Sequence, residues 1–164
     1  MIVPDLLAEN LDLVLCGTAP SRVSKEMRAY YAHPGNIFWK TLFDVGLTPH
    51  LVAPRDYHDV LRFGIGLTDL NKTEWGADSE LSVAGFDVSA FTEKVRLHKP
   101  RLIAFTSKFT ASKFFSRKTI AYGLQPETLF ESALFVAPST SGRARNYFEI
   151  EHWRALAASV RGFR

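Results

Sequence analysis

The sequence of 164 residues contains a single cysteine, Cys16. A disulfide within the chain is therefore impossible, and neither a Cys/His zinc cluster nor a cysteine-held iron–sulfur cluster can be assembled. One thiol is typical of a reducing compartment. No apolar run approaches the ~20 residues that span a bilayer, and the N-terminus carries acids without the basic segment of a signal peptide. These absences predict a soluble, intracellular protein.

The composition is that of an ordinary globular protein. Apolar residues make up 46% of the chain and charged residues 23%, values that exclude a disordered, collagen-like or coiled-coil protein. The length fits one domain, which can bury a core without disulfides or metals. The formal net charge of +3 is compatible with a polyanionic partner but does not require one.

Acidic residues are missing from two stretches of the chain. Residues 94–126 contain eight Lys and Arg residues and no Asp or Glu. Residues 132–148 also lack acids, and they contain Arg143 and Arg145. If these stretches share one face of the protein, that face would attract phosphate groups. Ordinary solvated helix surfaces explain the same pattern equally well.

Short apolar segments alternate along the chain with segments of helical periodicity. Strands are predicted at residues 11–16, 64–70, 101–106 and 129–137, the last segment being compatible with a hairpin or two short strands. Helices are predicted at residues 36–45, 54–63, 87–98, after Ser107, and at 146–160, with a long loop over residues 17–35. This alternation predicts a three-layer α/β/α sandwich with a mainly parallel central sheet. In such folds a ligand binds beyond the carboxyl ends of the strands.

Two loops at that edge of the predicted sheet consist of small residues, proline and glycine. Residues 17–21 read Gly-Thr-Ala-Pro-Ser, and residues 137–143 read Ala-Pro-Ser-Thr-Ser-Gly-Arg. Small residues let the backbone approach a ligand closely, and their free N–H groups bind anions or carbonyl oxygens. Each loop taken alone is better explained as a tight turn without a ligand. The pair at one sheet edge favours a ligand site, with the aromatic residues of segment 30–39 available to stack on a base or sugar.

These three segments, in this order, resemble the motifs of the uracil-DNA glycosylase superfamily. The second motif is the most specific, and it reads Tyr-Tyr-Ala-His-Pro-Gly-Asn-Ile-Phe-Trp-Lys over residues 30–40. The branches that the chain resembles most are the mismatch-specific uracil/thymine-DNA glycosylases and the hypoxanthine-DNA glycosylase-like group. The resemblance covers nearly the whole chain. It implies a single DNA glycosylase domain over residues 1–164, which flips a nucleotide out of DNA and cleaves its N-glycosidic bond.

Two alanines depart from the pattern of this family. Ala19 stands where the mismatch-specific branch has the asparagine that positions the attacking water, and Ala137 stands where several members have His or Asn. Neither methyl group can orient water or donate a hydrogen bond. The hypoxanthine-type branch also lacks the first-motif asparagine, and there the asparagine of the His-Pro-x-Asn element is implicated in catalysis. The resemblance therefore implies Asn36 as the catalytic residue, with a helix N-cap as the structural alternative.

The resemblance also implies a base-binding set and a DNA-binding set of residues. In the first set, Tyr31 stacks on the base and Thr18 offers its backbone N–H. In the second set, Ser139 holds a phosphate and Arg143 fills the gap left by the flipped base. His33 is expected to be structural, and a turn and a helix cap are the favoured interpretations of Asp69 and Asp78. The full sets are Gly17, Thr18, Ala19, Tyr31 and Asn36 for the base, and Ser21, Ser139, Thr140, Ser141, Arg143 and Arg145 for DNA.

The sequence thus predicts a monofunctional DNA glycosylase that excises uracil in base excision repair and releases free uracil. We expect no cofactor and no metal. We also expect a cytoplasmic, nucleoid-associated monomer that binds DNA and no membrane. Two alternatives stay open. One is a glycosylase for another deaminated base such as hypoxanthine, and the other is a DNA-binding relative that has lost catalysis, for which the two alanines are the evidence.

Overall fold

The computed structural model describes residues 1–163. Its central sheet has five strands: β1 (Leu13–Gly17), β2 (Ile65–Asp69), β3 (Leu102–Phe105), β4 (Gly123–Leu129) and β5 (Ser132–Val136). Their order across the sheet is β2-β1-β3-β5-β4. Only β4 runs antiparallel to its neighbour, whereas the other paired strands are parallel.

Helices connect these strands on both sides of the sheet. The α-helices in the described part of the chain are α1 (Arg22–Met27), α2 (Phe38–Asp44), α3 (Val88–His98), α4 (Lys108–Phe115) and α5 (Ile150–Arg161). Elements of 3₁₀ helix occupy Pro54–Phe63, Asp78–Glu80, Val83–Gly85 and Gly142–Tyr147. None of the helices within residues 1–163 is long and apolar enough to cross a membrane.

Each face of the sheet has its own apolar core, because successive side chains of a strand point to opposite faces. Leu13 of β1 packs in one core with Trp153 of α5. Cys16 of the same strand packs in the other core with Phe91 of α3. The predicted three-layer sandwich with a mainly parallel sheet is therefore confirmed.

Three segments differ from the sequence prediction. Helix α1 lies within the predicted loop of residues 17–35, and its only buried residue is Ser24, so no apolar periodicity marks it. The hairpin of the last two strands begins at Gly123, six residues before the predicted strand segment. The prediction missed these residues because β4 is an edge strand with few buried side chains, so it shows no apolar run. The last helix begins at Ile150 rather than at Asn146, since residues 142–147 form a 3₁₀ turn instead.

The strand order sets the position of a crevice at the carboxyl edge of the sheet. The chain leaves β1 toward β2 on one side, and it leaves β3 toward β5 and β4 on the other side. Loops that diverge in this way open a gap between the ends of two adjacent parallel strands. The ends of β1 and β3, at Gly17 and Phe105, flank this gap.

Candidate active site

A cleft of about 1150 Å³ lies at this carboxyl edge of the sheet. The loops after β1, β2, β3 and β5 line it, together with the segment that precedes α2. The structure thus brings the three sequence motifs to one cavity. All of the predicted site residues except Arg145 line it, namely Gly17, Thr18, Ala19, Ser21, Tyr31, Asn36, Ser139, Thr140, Ser141 and Arg143.

The floor of the cleft is crowded around Gly17, the last residue of β1. A Cβ atom on Gly17 would lie 2.6 Å from Asp69 Oδ1 and 2.7 Å from the Tyr31 hydroxyl. Asp69 reaches this point because it is paired with Gly17 in the parallel register of β1 and β2. Glycine is therefore required at position 17 so that a carboxylate and a phenol can approach the same backbone atom.

Tyr31 lines the cleft. One face of its ring is stacked on Phe38 of α2, with 3.7 Å between ring centroids and an interplanar angle of 15°. The hydroxyl is 3.1 Å from Thr106 Oγ1 after β3. The backbone of Tyr31 has a φ of +51°, a conformation that is rare for a bulky residue and recurs at functional sites. Ring stacking and the hydroxyl contact fix the ring for a flat ligand.

Asn36 both supports the start of α2 and carries a free donor. The N-cap of α2 is Ile37 rather than Asn36, but Asn36 Oδ1 still accepts a hydrogen bond of 2.9 Å from the N–H of Phe38, the first helical residue. The N–H of Phe38 can bond only to the oxygen of the side-chain amide, so this contact identifies which end of the amide is Oδ1 and which is Nδ2. The Nδ2 group is left as a hydrogen-bond donor on a residue that lines the cleft.

The first loop offers backbone donors rather than side-chain ones. No backbone hydrogen bond within residues 1–163 uses the N–H of Thr18 or Ala19. The Thr18 side chain is engaged elsewhere, since its Oγ1 lies 2.7 Å from Thr110 Oγ1 of α4. Asn71 N–H donates to the Thr18 carbonyl over 2.8 Å. The loop is held on both sides, so its free N–H groups are fixed in place.

The third motif is tied to the second by backbone contacts. Ile37 N–H donates to the Thr140 carbonyl over 3.0 Å, and Arg145 Nη2 donates to the Gly35 carbonyl over 3.0 Å. A Cβ atom on Gly142 would lie 3.3 Å from that same carbonyl oxygen. Arg145, predicted as a DNA contact, therefore joins the two loops and lies outside the cleft lining.

The remaining residues of the third motif divide between structural and exposed positions. Ala137 is fully buried, and its N–H bonds to the Phe105 carbonyl at 2.9 Å, so it extends the sheet and does not line the cleft. Ser139 Oγ accepts a bond of 3.2 Å from Ser141 N–H, which stabilises a turn. Arg143 is exposed on the cleft wall.

Asp69 has an environment that the sequence did not reveal. It is 5% exposed, and its carboxylate faces the cleft without a hydrogen bond from any other residue in the range 1–163. Burial, reinforced by the charge of Asp5, raises the pKa of Asp69 to about 6, against the opposing effect of Lys72 and Lys94. A buried carboxylate with a raised pKa at the floor of a cleft is a candidate general base. The signal available in the sequence was its position at the end of a predicted strand.

Asp78 also lines the cleft, and it is the first residue of a 3₁₀ turn rather than a helix cap. Burial raises the pKa of Asp78, whereas the charge of Arg143 lowers it. Asp78 and Arg143 therefore lie near each other among the residues that line the cleft. His33 also lines the cleft, but its Nδ1 accepts a bond of 2.9 Å from Gly35 N–H and stabilises its own loop.

No group of three or more His, Cys, Asp or Glu side chains within residues 1–163 is arranged to hold a metal ion. The cleft is lined by amide, hydroxyl, carboxylate and backbone groups, which can bind a polar heterocycle and hold a water molecule. An aromatic ring, fixed hydrogen-bond donors and a buried carboxylate suit the cleavage of an N-glycosidic bond, which needs a flipped base, stabilisation of the departing base and a water for the sugar.

Comparison with known proteins gives two results. The family model described as the uracil DNA glycosylase superfamily matches residues 4–159. Among solved structures, the solution NMR structure of a candidate uracil DNA glycosylase from Methanosarcina acetivorans is similar to this chain, with a TM-score of 0.69 and 25% sequence identity. That similarity covers 97% of this chain and 96% of the other.

Proposed function

The chain belongs to the uracil DNA glycosylase superfamily, and we propose that it is a monofunctional glycosylase that excises uracil from DNA after base flipping. The observation that carries this proposal is the presence in one cleft of the Asn36 amide and the carboxylate of Asp69. The first can polarise a departing base, and the second can hold a water molecule. Membership of the family supports DNA as the substrate, within one catalytic domain spanning residues 1–164.

The flipped base stacks on the open face of Tyr31, because Phe38 covers the other face. Uracil presents two carbonyl oxygens along its edge. The Nδ2 group of Asn36 and the unbonded N–H groups of Thr18 and Ala19 are the donors available for them. These donors stabilise the negative charge that develops on uracil as the bond to C1′ breaks.

The attacking water approaches the sugar from the side of the cleft on which Asp69 lies. The oxygen of water bonds to C1′ while the C1′–N1 bond breaks, and the electron pair of that bond leaves on N1 of uracil. Asp69 accepts the proton of the water and later releases it to solvent or to the uracil anion. No lysine is among the described residues that line the cleft, which supports hydrolysis over attack by a lysine amine.

The DNA backbone is held by the small hydroxyl residues and the arginine of the third motif. Ser139, Thr140 and Ser141 form the wall that continues into Arg143. Arg143 is exposed at the mouth of the cleft, which supports the role of filling the gap in the duplex once the nucleotide has flipped. Ser21 caps α1 through a 3.1 Å bond from Ser24 N–H and adds a hydroxyl to the opposite wall.

The proposed activity is tested with oligonucleotides that contain one uracil or one hypoxanthine, followed by alkaline cleavage at abasic sites. We expect cleavage at uracil. Hypoxanthine also has a carbonyl acceptor beside an N–H donor, so cleavage at hypoxanthine alone would assign the same site to the other deaminated base. No cleavage of either substrate, with DNA binding retained, would identify an inactive relative.

Replacing Tyr31 with alanine is expected to weaken binding of DNA that carries a non-cleavable uracil analogue by about 1–3 kcal/mol, the usual contribution of base–aromatic stacking. Tyr31→Phe is the control, since it keeps the ring and loses only the hydroxyl contact with Thr106. The measurement is the dissociation constant of each variant. An unchanged constant for Tyr31→Ala would show that the base does not stack on this ring.

A further inference from the structure

The cleft has a second rim that none of the three motifs includes. The segment between β2 and α3 forms it, and Trp75 stands there as a large aromatic side chain. Trp75 is 40% exposed, whereas the other two tryptophans, Trp39 and Trp153, are 5% and 0% exposed. An indole at the mouth of a cleft, with no core to join, is the kind of side chain on which an unpaired base stacks.

This rim is built as a fixed platform. Asn71 is fully buried, and its Oδ1 accepts bonds from the N–H groups of Thr73 and Glu74, at 3.2 and 3.1 Å. Gly76 N–H then donates to the Pro20 carbonyl over 2.9 Å, which joins the residue after Trp75 to the first motif. The backbone on both sides of Trp75 is therefore held at a set position relative to the first motif.

One face of Trp75 is occupied by a cation. Lys25 Nζ of α1 lies 4.3 Å from the centroid of the ring. This contact orients the indole and places a positive charge next to the ring, which attracts the phosphate groups of a nucleotide stacked on the other face. Asp78 and Glu80 follow on the same rim, and their negative charges would repel those phosphates.

We propose that Trp75 and Lys25 form a binding site for an unpaired nucleotide that flanks the flipped one. The site rests on the proposed function and adds a preference to it. An unpaired neighbouring base can stack on Trp75 without breaking a base pair, whereas a paired base must first separate from its partner. The enzyme therefore prefers uracil in single-stranded DNA, or beside unpaired positions, over uracil in a fully paired duplex.

Intrinsic fluorescence tests this site without catalysis. The wild-type protein is titrated with single-stranded oligothymidine that contains no uracil, and tryptophan emission is recorded. We expect quenching, because Trp75 is the solvent-exposed tryptophan of the three. Trp75→Phe should keep the affinity, measured by anisotropy of a labelled oligonucleotide, and lose the quenching. An absence of quenching while the wild-type protein binds the oligonucleotide would overturn the proposal.

Affinity measurements give the second arm of the test. Trp75→Ala should weaken binding of the single strand by about tenfold to a hundredfold, with a smaller loss for a fully paired duplex. Phe43→Ala is the matched control, since Phe43 is 44% exposed and does not line the cleft. Equal losses on both substrates, or none, would overturn the proposal. If the wild-type protein does not excise uracil, the proposed activity is rejected. The binding results would still test the Trp75 site, because they do not depend on catalysis.

Discussion

Replacing Asn36 with alanine is expected to slow uracil release by about 10²–10³, the usual cost of removing one preorganised hydrogen-bond donor. The reason is that the two ends of its side-chain amide have different roles. Oδ1 is bonded to the N–H of Phe38, so Nδ2 is the end that can bond to a base in the cleft. Both polar positions of the related enzymes are alanines here, Ala19 and Ala137, and Ala137 is buried in the sheet. The measurement is the single-turnover rate on single-stranded uracil DNA.

Asn36→Asp separates this catalytic role from the support that the residue gives to α2. Aspartate keeps an oxygen that accepts from Phe38 N–H and loses the donor. We expect its thermal stability to stay near that of the wild type, while its rate falls at least as far as that of Asn36→Ala. The alanine variant should in addition lose ~1 kcal/mol of stability, as capping residues do. Near-normal rates in both variants would reduce Asn36 to a structural residue.

The fold and most of the cleft could be predicted because their signals are local. Buried strands read as short apolar runs, and the loops that follow β1 and β5 are marked by glycine, proline and small polar residues. The order of the strands is not local, and the meeting of Gly17 with Asp69 depends on it. The sequence alone therefore favours an ordinary turn at Asp69, although it predicts the strand that ends there.

Two further features had no signal in the periodicity of the sequence. Helix α1 buries only Ser24, so it shows no apolar stripe. The platform of Trp75 is organised by the side chain of Asn71, which accepts bonds from the N–H groups of Thr73 and Glu74. It is also held by a bond from Gly76 to Pro20, which lie 56 residues apart in the sequence. Polar networks of this kind become visible only when the segments have been placed.

Replacing Asp69 with asparagine is expected to slow uracil release by about 10²–10⁴, the usual contribution of a positioned general base. The pH dependence identifies the group. Burial raises the pKa of Asp69 to about 6, and only the ionised carboxylate can accept a proton from water. The single-turnover rate of the wild type should therefore rise about tenfold per pH unit below pH 6 and level off above it. Asp69→Asn should lose this dependence.

Asp78→Asn is the matched control, because Asp78 is another cleft carboxylate whose pKa is raised by burial. It lies on the rim beside Arg143, so we expect its replacement to change DNA affinity and to leave the midpoint of the pH profile in place. The opposite result would be a pH profile whose midpoint moves in Asp78→Asn but stays the same in Asp69→Asn. That result would assign the titration to Asp78 and show that Asp69 takes no part in the reaction.

The same Asp69→Asn variant is expected to make the protein more stable, which distinguishes a functional carboxylate from a structural one. The pKa of Asp69 is raised from its ordinary value of 3.8 to about 6 in the folded protein. The folded state therefore binds the proton more tightly, and the free energy of unfolding falls as pH rises from about 4 to about 6, by about 3 kcal/mol in all. Asp69→Asn removes this penalty, so its melting temperature should exceed that of the wild type at pH 8, and the difference should disappear below pH 4. A variant that is less stable than the wild type at pH 8 would show that the carboxylate is held by stabilising contacts and is not kept charged for catalysis.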